Sequence, residues 1–551
     1  MTPAPLMLLG SHVPVAIFAA HVLLATYLTF AVSRGLYRSY LELPPSQATR
    51  SRQSKRQKLV PVFAALALVS FAHATYTGVT YAVLSYRVWA AGRGIALPVR
   101  LWGNDGILPF RDNHTLRHMS RWLTDTPIYA DAFEVVAEQT RRYWWGQQLD
   151  LAMLPWTLLL SIEGRRRNIP FTWAYLGLAH LVGLSFAQNL FYVALLLTPT
   201  PIVERHDNAL PASWYVKTRD SIFPPKPPNW CPHPLLFLIC YSFNGVAIFF
   251  VPSLAGTALS TRLLLTTRGL TFLSLLIPYI VPESWGTVHS HPHHAYSSFS
   301  ALFRLLSTLS LALHGKSTLL ALTGATTNDY RHRHSALMNI DLEKLAVWER
   351  TTYGLGRILG AWNHHPLVNH ASVDVILSAL SLGLWAAVRS IEAEDILSSS
   401  VPFFQKLEGH TQALVYETTD AREILAENGI TDPPLSPSPE PVPKPRKRRT
   451  RPTKIHVEPP STSEEEATTT SSPLRRNTRS RKNKSTEPMS APEDAYVPTP
   501  RERAAILEGD VLRVADGELG WESAALAWGI TVVGGLGCGS AGVFGAECVS
   551  R

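Results

Sequence analysis

Cysteine is scarce in this chain: four among 551 residues, Cys231, Cys240, Cys538 and Cys548, with no CxxC pair and no metal-ligand spacing. Missing too are the carboxylate clusters DDxxD, NDxxDxxxD and DxDD, so no element holds magnesium to ionise a prenyl diphosphate. HExxH, GxSxG and a glycine-rich phosphate loop leading into a helix are all absent, which removes the common soluble-enzyme chemistries. No cleavable signal peptide is expected, because the first apolar block is too long and no small-residue cleavage pattern follows it.

What is present is unevenly spread. Mean hydropathy lies slightly above zero, but long apolar blocks fill residues 13 to 391 while 393 to 520 are rich in Pro, Ser, Thr and charge. The formal net charge of +9 has a local origin, with seven Lys or Arg between Lys444 and Lys454 and six more between Arg475 and Lys484. A basic isoelectric point therefore gives little reason to expect nucleic acid. The basic segment cannot bury enough apolar area to offset its chain entropy, and a long disordered basic linker is expected there.

A helix crosses hydrocarbon with about 20 apolar residues. That length selects eight spans within 1–392: Val13 to Val32, Leu59 to Ser85, Gln147 to Ile162, Pro170 to Leu197, Pro234 to Leu259, Leu263 to Val281, Tyr296 to Leu322 and Pro366 to Val388. A ninth is expected within 521–551, where Ser523 to Ala546 carries no charge, though its many glycines make it a looser helix. The expected fold is an all-α polytopic membrane helix bundle of eight to nine transmembrane helices, with lipids as its partners and no internal repeat.

Orientation follows from the basic short loops. Arg34, Arg38, Arg50, Arg52, Lys55, Arg56 and Lys58 follow the first span, and Arg165, Arg166 and Arg167 follow the third, so both loops are expected in the cytosol. The 86–146 segment is then luminal, as its Asn113-His114-Thr115 glycosylation sequon requires. One feature disagrees: counting eight spans puts the basic linker in the lumen.

Charged groups in hydrocarbon cost about 2.5–3.5 kcal/mol each, so those within spans usually face the bundle interior or a cavity. On the eight-span topology Asp150, Gln188, Asn189, Asn244, Arg304 and Glu283 fall at one luminal level, beside Tyr76, Tyr81, Trp156 and Trp285. The expectation is a luminal cavity with aromatic walls, although Asn and Gln also serve as hydrogen-bond glue between helices. His289, His291, His293 and His294 form a dense tract, and His332 with His334 and His364 with His365 form pairs. A di-iron oxygenase needs such clusters on one side with HxxHH spacing, and position 361, where a box ending at His365 would begin, is Ala. No metal and no cofactor are expected.

Three stretches resemble a family of fungal polytopic membrane proteins: IEGRRRNIPFTWAYLGLAHLVGLSFAQNLFYVALLLTP (162–199), IPYIVPESWGTVHSHPHHAYSSFSALFR (277–304) and WESAALAWGITVVGGLGCGSAGVFGAE (521–547). Some members are membrane-bound terpene cyclases of ascochlorin-type and macrophorin-type meroterpenoid pathways. The resemblance implies a site that protonates an olefin or epoxide of an isoprenoid or prenylated aromatic, without ionising a diphosphate. A Glu or Asp at an apolar cavity wall could be the donor, with Glu283 first choice, Asp150 second, and Glu163 and Asp374 as cytosolic-side alternatives. Glu163 adjoins three arginines, a poor setting for an acid. The competing reading is a non-catalytic or transport-related membrane protein of the secretory pathway, the endoplasmic reticulum being the expected location.

If the 86–146 segment is luminal, the protein carries a glycosidase-sensitive mass shift that Asn113→Gln abolishes. Cytosolic protease access to that segment would reverse the orientation.

Overall fold

Hydrocarbon offers a backbone no partner but itself, and every one of the nine apolar runs forms helix. The computed structural model describes residues 13–41, 50–95, 114–167, 169–198, 226, 230–254, 257–288, 296–327, 347–389, 391–401 and 519–549. Asn113, the histidines at 289–294, His332, His334 and nearly all of the basic linker lie outside the described residues. In chain order the elements are α1 (Val13–Leu41), α2 (Arg50–Gly92), α3 (His114–Asp125), α4 (Ile128–Ala137), α5 (Thr140–Arg166), α6 (Thr172–Leu181), α7 (Leu184–Leu197), β1 (Trp230–Pro232), α8 (Pro234–Leu254), α9 (Ala258–Ile280), β2 (Gly286–Val288), α10 (Tyr296–Thr327), α11 (Val347–Gly360), α12 (Pro366–Arg389), α13 (Ala393–Ser400) and α14 (Trp521–Val549). The protein is an integral membrane protein of all-α architecture: seven helices are long and apolar enough to cross a membrane, within α1, α2, α8, α9, α10, α12 and α14.

Two of the nine runs do not run straight. The fourth is broken at Val182 and Gly183 into α6 and α7. Arg167, which follows α5, donates to the carbonyls of Leu195 and Thr198 at 3.0 and 2.8 Å, so the far end of α7 returns to the level at which α6 began. The fourth run is therefore a re-entrant hairpin. The ninth repeats the device, because α14 is two helices joined at Gly535, whose φ of 79° and ψ of 166° are non-helical. Near its start Gly520 N–H donates to Ala387 O at 3.0 Å and the Ser523 hydroxyl donates to Ile391 O. Near its finish Glu547 takes an ion pair from Arg389 at 3.1 Å and a hydrogen bond from Trp385 at 3.0 Å. Both ends of α14 thus lie at one end of α12.

Among the described residues this leaves α1, α2, α5, α8, α9, α10 and α12 running from end to end. At 27 residues, α5 is about 40 Å long. The corrected path changes what faces what. Arg165 donates to Trp230 O at 2.9 Å, and Trp230 opens the small sheet in which it pairs with Val288 and Cys231 with Thr287. The sheet therefore sits at the same end as Arg165, here the arginine end, and so does Glu283, which the eight-span topology placed at the other. Val401 and Leu519 flank the basic segment, and the elements they adjoin, α13 and the start of α14, both pack at the arginine end. Because the fourth run never crosses, α13 and the start of α14 fall on the side of Arg165 and Arg167. Two glycine-broken hairpins thus enter the bundle from one end.

Near the arginine end Tyr192 of α7 stacks on Trp385 of α12 at 4.5 Å, and Phe63 of α2 meets both edge-on. Buried Glu163 and Arg167 pair at 2.8 Å.

Epitope tags inserted in 42–49 and in 430–500 should be accessible from one side of the membrane, and a tag in 96–113 from the other; a linker tag on the side of 96–113 would refute the hairpins. Gly535→Ala forces a side chain into a backbone region that costs about 1–3 kcal/mol for non-glycine residues, and its Cβ would sit 2.7 Å from His314 Nδ1. It should lower the melting temperature in detergent, whereas Gly269→Ala, where no atom lies within 4 Å of the new Cβ, should not.

Candidate intramembrane site at a broken helix

Breaking a helix inside hydrocarbon orphans carbonyls on one side of the gap and amides on the other. At 181–185 each orphan finds a partner from another helix. Asp374 of α12 accepts from Leu184 N–H at 2.8 Å and Ser185 N–H at 2.7 Å, one bond to each carboxylate oxygen, at the positive end of α7. A Cβ at 183 would lie 3.2–3.3 Å from the Asp374 carboxyl group, so glycine eases this approach. On the carbonyl side the Leu181 backbone hydrogen-bonds with His21 of α1 and the Val182 backbone with His370 of α12.

A second layer surrounds these contacts. His370 Nδ1 lies 3.3 Å from the Thr77 hydroxyl, which also donates to His73 O at 2.9 Å. His73 Nε2 is buried and has no hydrogen-bond partner. Ser70, His73 and Ala74 of α2, Ser185 and Phe186 of α7, and His370, Asp374 and Leu377 of α12 line one crevice. Phe71 and Phe186 have ring centroids 5.2 Å apart. On other faces of the same two helices Leu68, Val69 and Tyr76 of α2 and Ile376 and Leu380 of α12 are exposed. Asp374 lies eight residues into α12, about 12 Å below its start.

The expected site residues are dispersed. Gln188 and Asn189 hydrogen-bond along α7 itself: Asn189 Nδ2 donates to Ser185 O at 2.7 Å and Gln188 Nε2 to the Tyr192 hydroxyl at 2.6 Å, while both carbonyl oxygens are buried and without a partner among the described residues. Tyr76 faces outward at 69% exposure, and the Tyr81 hydroxyl donates to Ile128 O at 2.8 Å. Asp150 has Arg268 of α9 as its charged neighbour, and Arg268 sits over Phe133 at 4.5 Å. Asn244 Nδ2 donates to Cys240 O at 3.2 Å, and Trp156 is buried with its Nε1 unpartnered. Arg304 Nε is likewise unpartnered. Glu283 and Trp285 are exposed in a turn at the arginine end. Glu283 faces Lys226, whose ammonium is pushed below its usual range by burial first and by Arg165 second, with Glu283 opposing. Among the described residues no interaction joins Asp150, Glu283 and Arg304, so the common luminal cavity expected from the sequence is not formed by them.

His21, His73 and His370 were not singled out from the sequence. A signal existed: His370 and Asp374 are four apart, on one helix face, inside an otherwise apolar run. Among the described residues no group of three or more His, Cys, Asp or Glu is placed to hold a metal ion. The second break is built from neutral groups, with Leu536 N–H donating to Gln148 Oε1 of α5 at 3.3 Å and Gly535 lying against His314. The chain matches no protein-family model, no curated protein and no solved structure.

Asp374→Ala should strip the acceptor from two buried amides, each worth about 1–3 kcal/mol. Thermal unfolding in detergent should rank wild type above Asp374→Asn, which keeps one acceptor oxygen, and Asn above Ala; equal stability of all three would remove Asp374 from the cap.

Proposed function

We propose that the protein is an enzyme that delivers a proton to an isoprenoid dissolved in the bilayer, a membrane-bound terpene cyclase acting on an epoxidised prenyl chain. The observation that carries this reading is the Asp374, His370 and His73 cluster lining one narrow crevice between α2, α7 and α12. Ionisable groups inside a membrane mark substrate pathways and proton relays. Both Asp374 oxygens are engaged by backbone amides, so the donor is assigned to an imidazole, with the Asp374 carboxylate as the charge beside His370. An imidazolium suits an epoxide oxygen better than a plain alkene carbon. The oxygen takes the proton as its C–O bond breaks, and neighbouring double bonds close rings behind the moving charge. Phe186, which lines the crevice, is the aromatic ring nearest such a cation's path. A proton lost back to the imidazole ends the sequence, an isomerisation that consumes no cofactor. The substrate class is an isoprenoid or prenylated aromatic, in agreement with the family resemblance. Asp150 and Glu283, the acids favoured by sequence, have no part in this site. The endoplasmic reticulum is the proposed location, with Asn113 glycosylated on its luminal side.

The paired hairpins favour a second reading. Broken helices in corresponding positions are typical of secondary transporters, whose half-helix ends hold the solute or coupling ion.

Microsomes holding wild type should convert an epoxyfarnesylated phenol to a cyclic isomer of unchanged mass. At equal protein level His370→Gln or His73→Gln should lose about 100-fold or more, and Glu283→Gln should lose nothing. Full activity in both histidine variants sinks this site. Absence of product, together with proton or solute flux in proteoliposomes that Asp374→Asn abolishes, would establish the transport reading instead.

A further inference from the structure

Outside the hairpins, one element has two apolar faces, of which only one has a partner among the described residues. α11 turns Gly354, Ile358 and Ala361 inward, at spacings of four and three: a Cβ on Gly354 would lie 2.8 Å from Leu322 of α10, Trp145 of α5 donates to Ile358 O at 3.1 Å, and Ala361 is fully buried. An adjacent face, about a quarter turn round the helix, carries Trp348, Leu355, Leu359 and, in the turn that follows, Trp362, at 75, 40, 53 and 38% exposure. Steps of seven, four and three place these four side chains in one stripe. Glu349, Tyr353 and Asn363 flank it.

We propose that α11 is an in-plane anchor whose outer stripe is embedded in the boundary between headgroups and acyl chains, at the end of the bundle opposite the arginines. The neighbourhood identifies the occupant. α11 runs through the 361–363 turn directly into Pro366, the first residue of the membrane-crossing α12, so it lies at the hydrocarbon boundary by connection. The helices before and after it in the chain also expose apolar side chains, Leu319 and Leu320 of α10 and Ile376 and Leu380 of α12. Tryptophans at the two ends of the stripe fit the interface, where an indole ring meets acyl chains and its N–H meets headgroups. An amphipathic helix so placed binds by buried apolar area and lies parallel to the surface. The anchor fixes depth: with α11 at the boundary, Asp374 lies about 12 Å inside, among the acyl chains of that leaflet. The inference does not depend on the cyclase reading.

The test uses the full chain in phospholipid vesicles, with nitroxide side chains attached one at a time at positions 355, 359 and 349. Collision with oxygen, which concentrates in hydrocarbon, should exceed collision with a water-soluble nickel complex several-fold at 355 and 359, and the order should reverse at 349. Greater nickel access at 355 and 359 would put the stripe in water. Low access to both probes would mean that protein covers it, as in a dimer. Either result overturns the proposal. Should the labelled variants misfold, acyl-brominated lipid should quench unmodified protein more than Trp348→Phe, and equal quenching would count against it.

Discussion

An amide or carbonyl without a partner inside hydrocarbon is the constraint around which this bundle is arranged. Straight helices satisfy it alone, and most of the chain does so. Two hairpins cannot, and their breaks dictate which side chains other helices must supply. At Gly183 the supply is ionic and basic, with Asp374 for the amides and His21 and His370 for the carbonyls. At Gly535 it is neutral, a single amide oxygen from Gln148 with an imidazole alongside. The chemistry proposed for the first break rests on this difference, since both share the same architecture.

The caps are exchanged between halves of the chain. The early hairpin is held by α12, near the end of the helical sequence, and the late one by α5, near its beginning. Each hairpin therefore closes on a helix distant in sequence, and α5 and α12 stand between the two. Asp374 belongs to a helix that also carries Trp385 and Arg389, the partners of Glu547. One helix thus holds the break of the first hairpin and the finish of the second.

Span positions were readable because length and apolarity decide them, and α1, α2 and α12 fall where the hydropathy puts them. The fate of the fourth run was not readable. Its 28 residues from Pro170 to Leu197 equal one crossing in length, and a lone glycine in an apolar helix is ordinary. Only the partners of the break, all remote in sequence, reveal the turn. In the ninth run the glycines gave a visible cue, but looseness and reversal look alike without Thr531 beside Gly539. The misplaced fourth run then inverted every later loop and carried Glu283 and Arg304 to the wrong level. Histidine was sought as a metal ligand in loops, whereas here it caps carbonyls within helices.

The contact between Gln148 and Leu536 joins residues 388 positions apart, and that between Trp385 and Glu547 spans 162. During biosynthesis the groove between α5, α10 and α12 is therefore made long before the hairpin that fills it. Loop-closure cost grows only with the logarithm of the intervening length, so the long interval adds little to the final stability. It adds to time: non-local closure is slow, and the open groove leaves Ser310, Ser378 and the carbonyl of Gln148 facing acyl chains until α14 arrives. The last stage of maturation is in effect an intramolecular docking reaction, and the bundle spends part of its life as a receptor for its own tail.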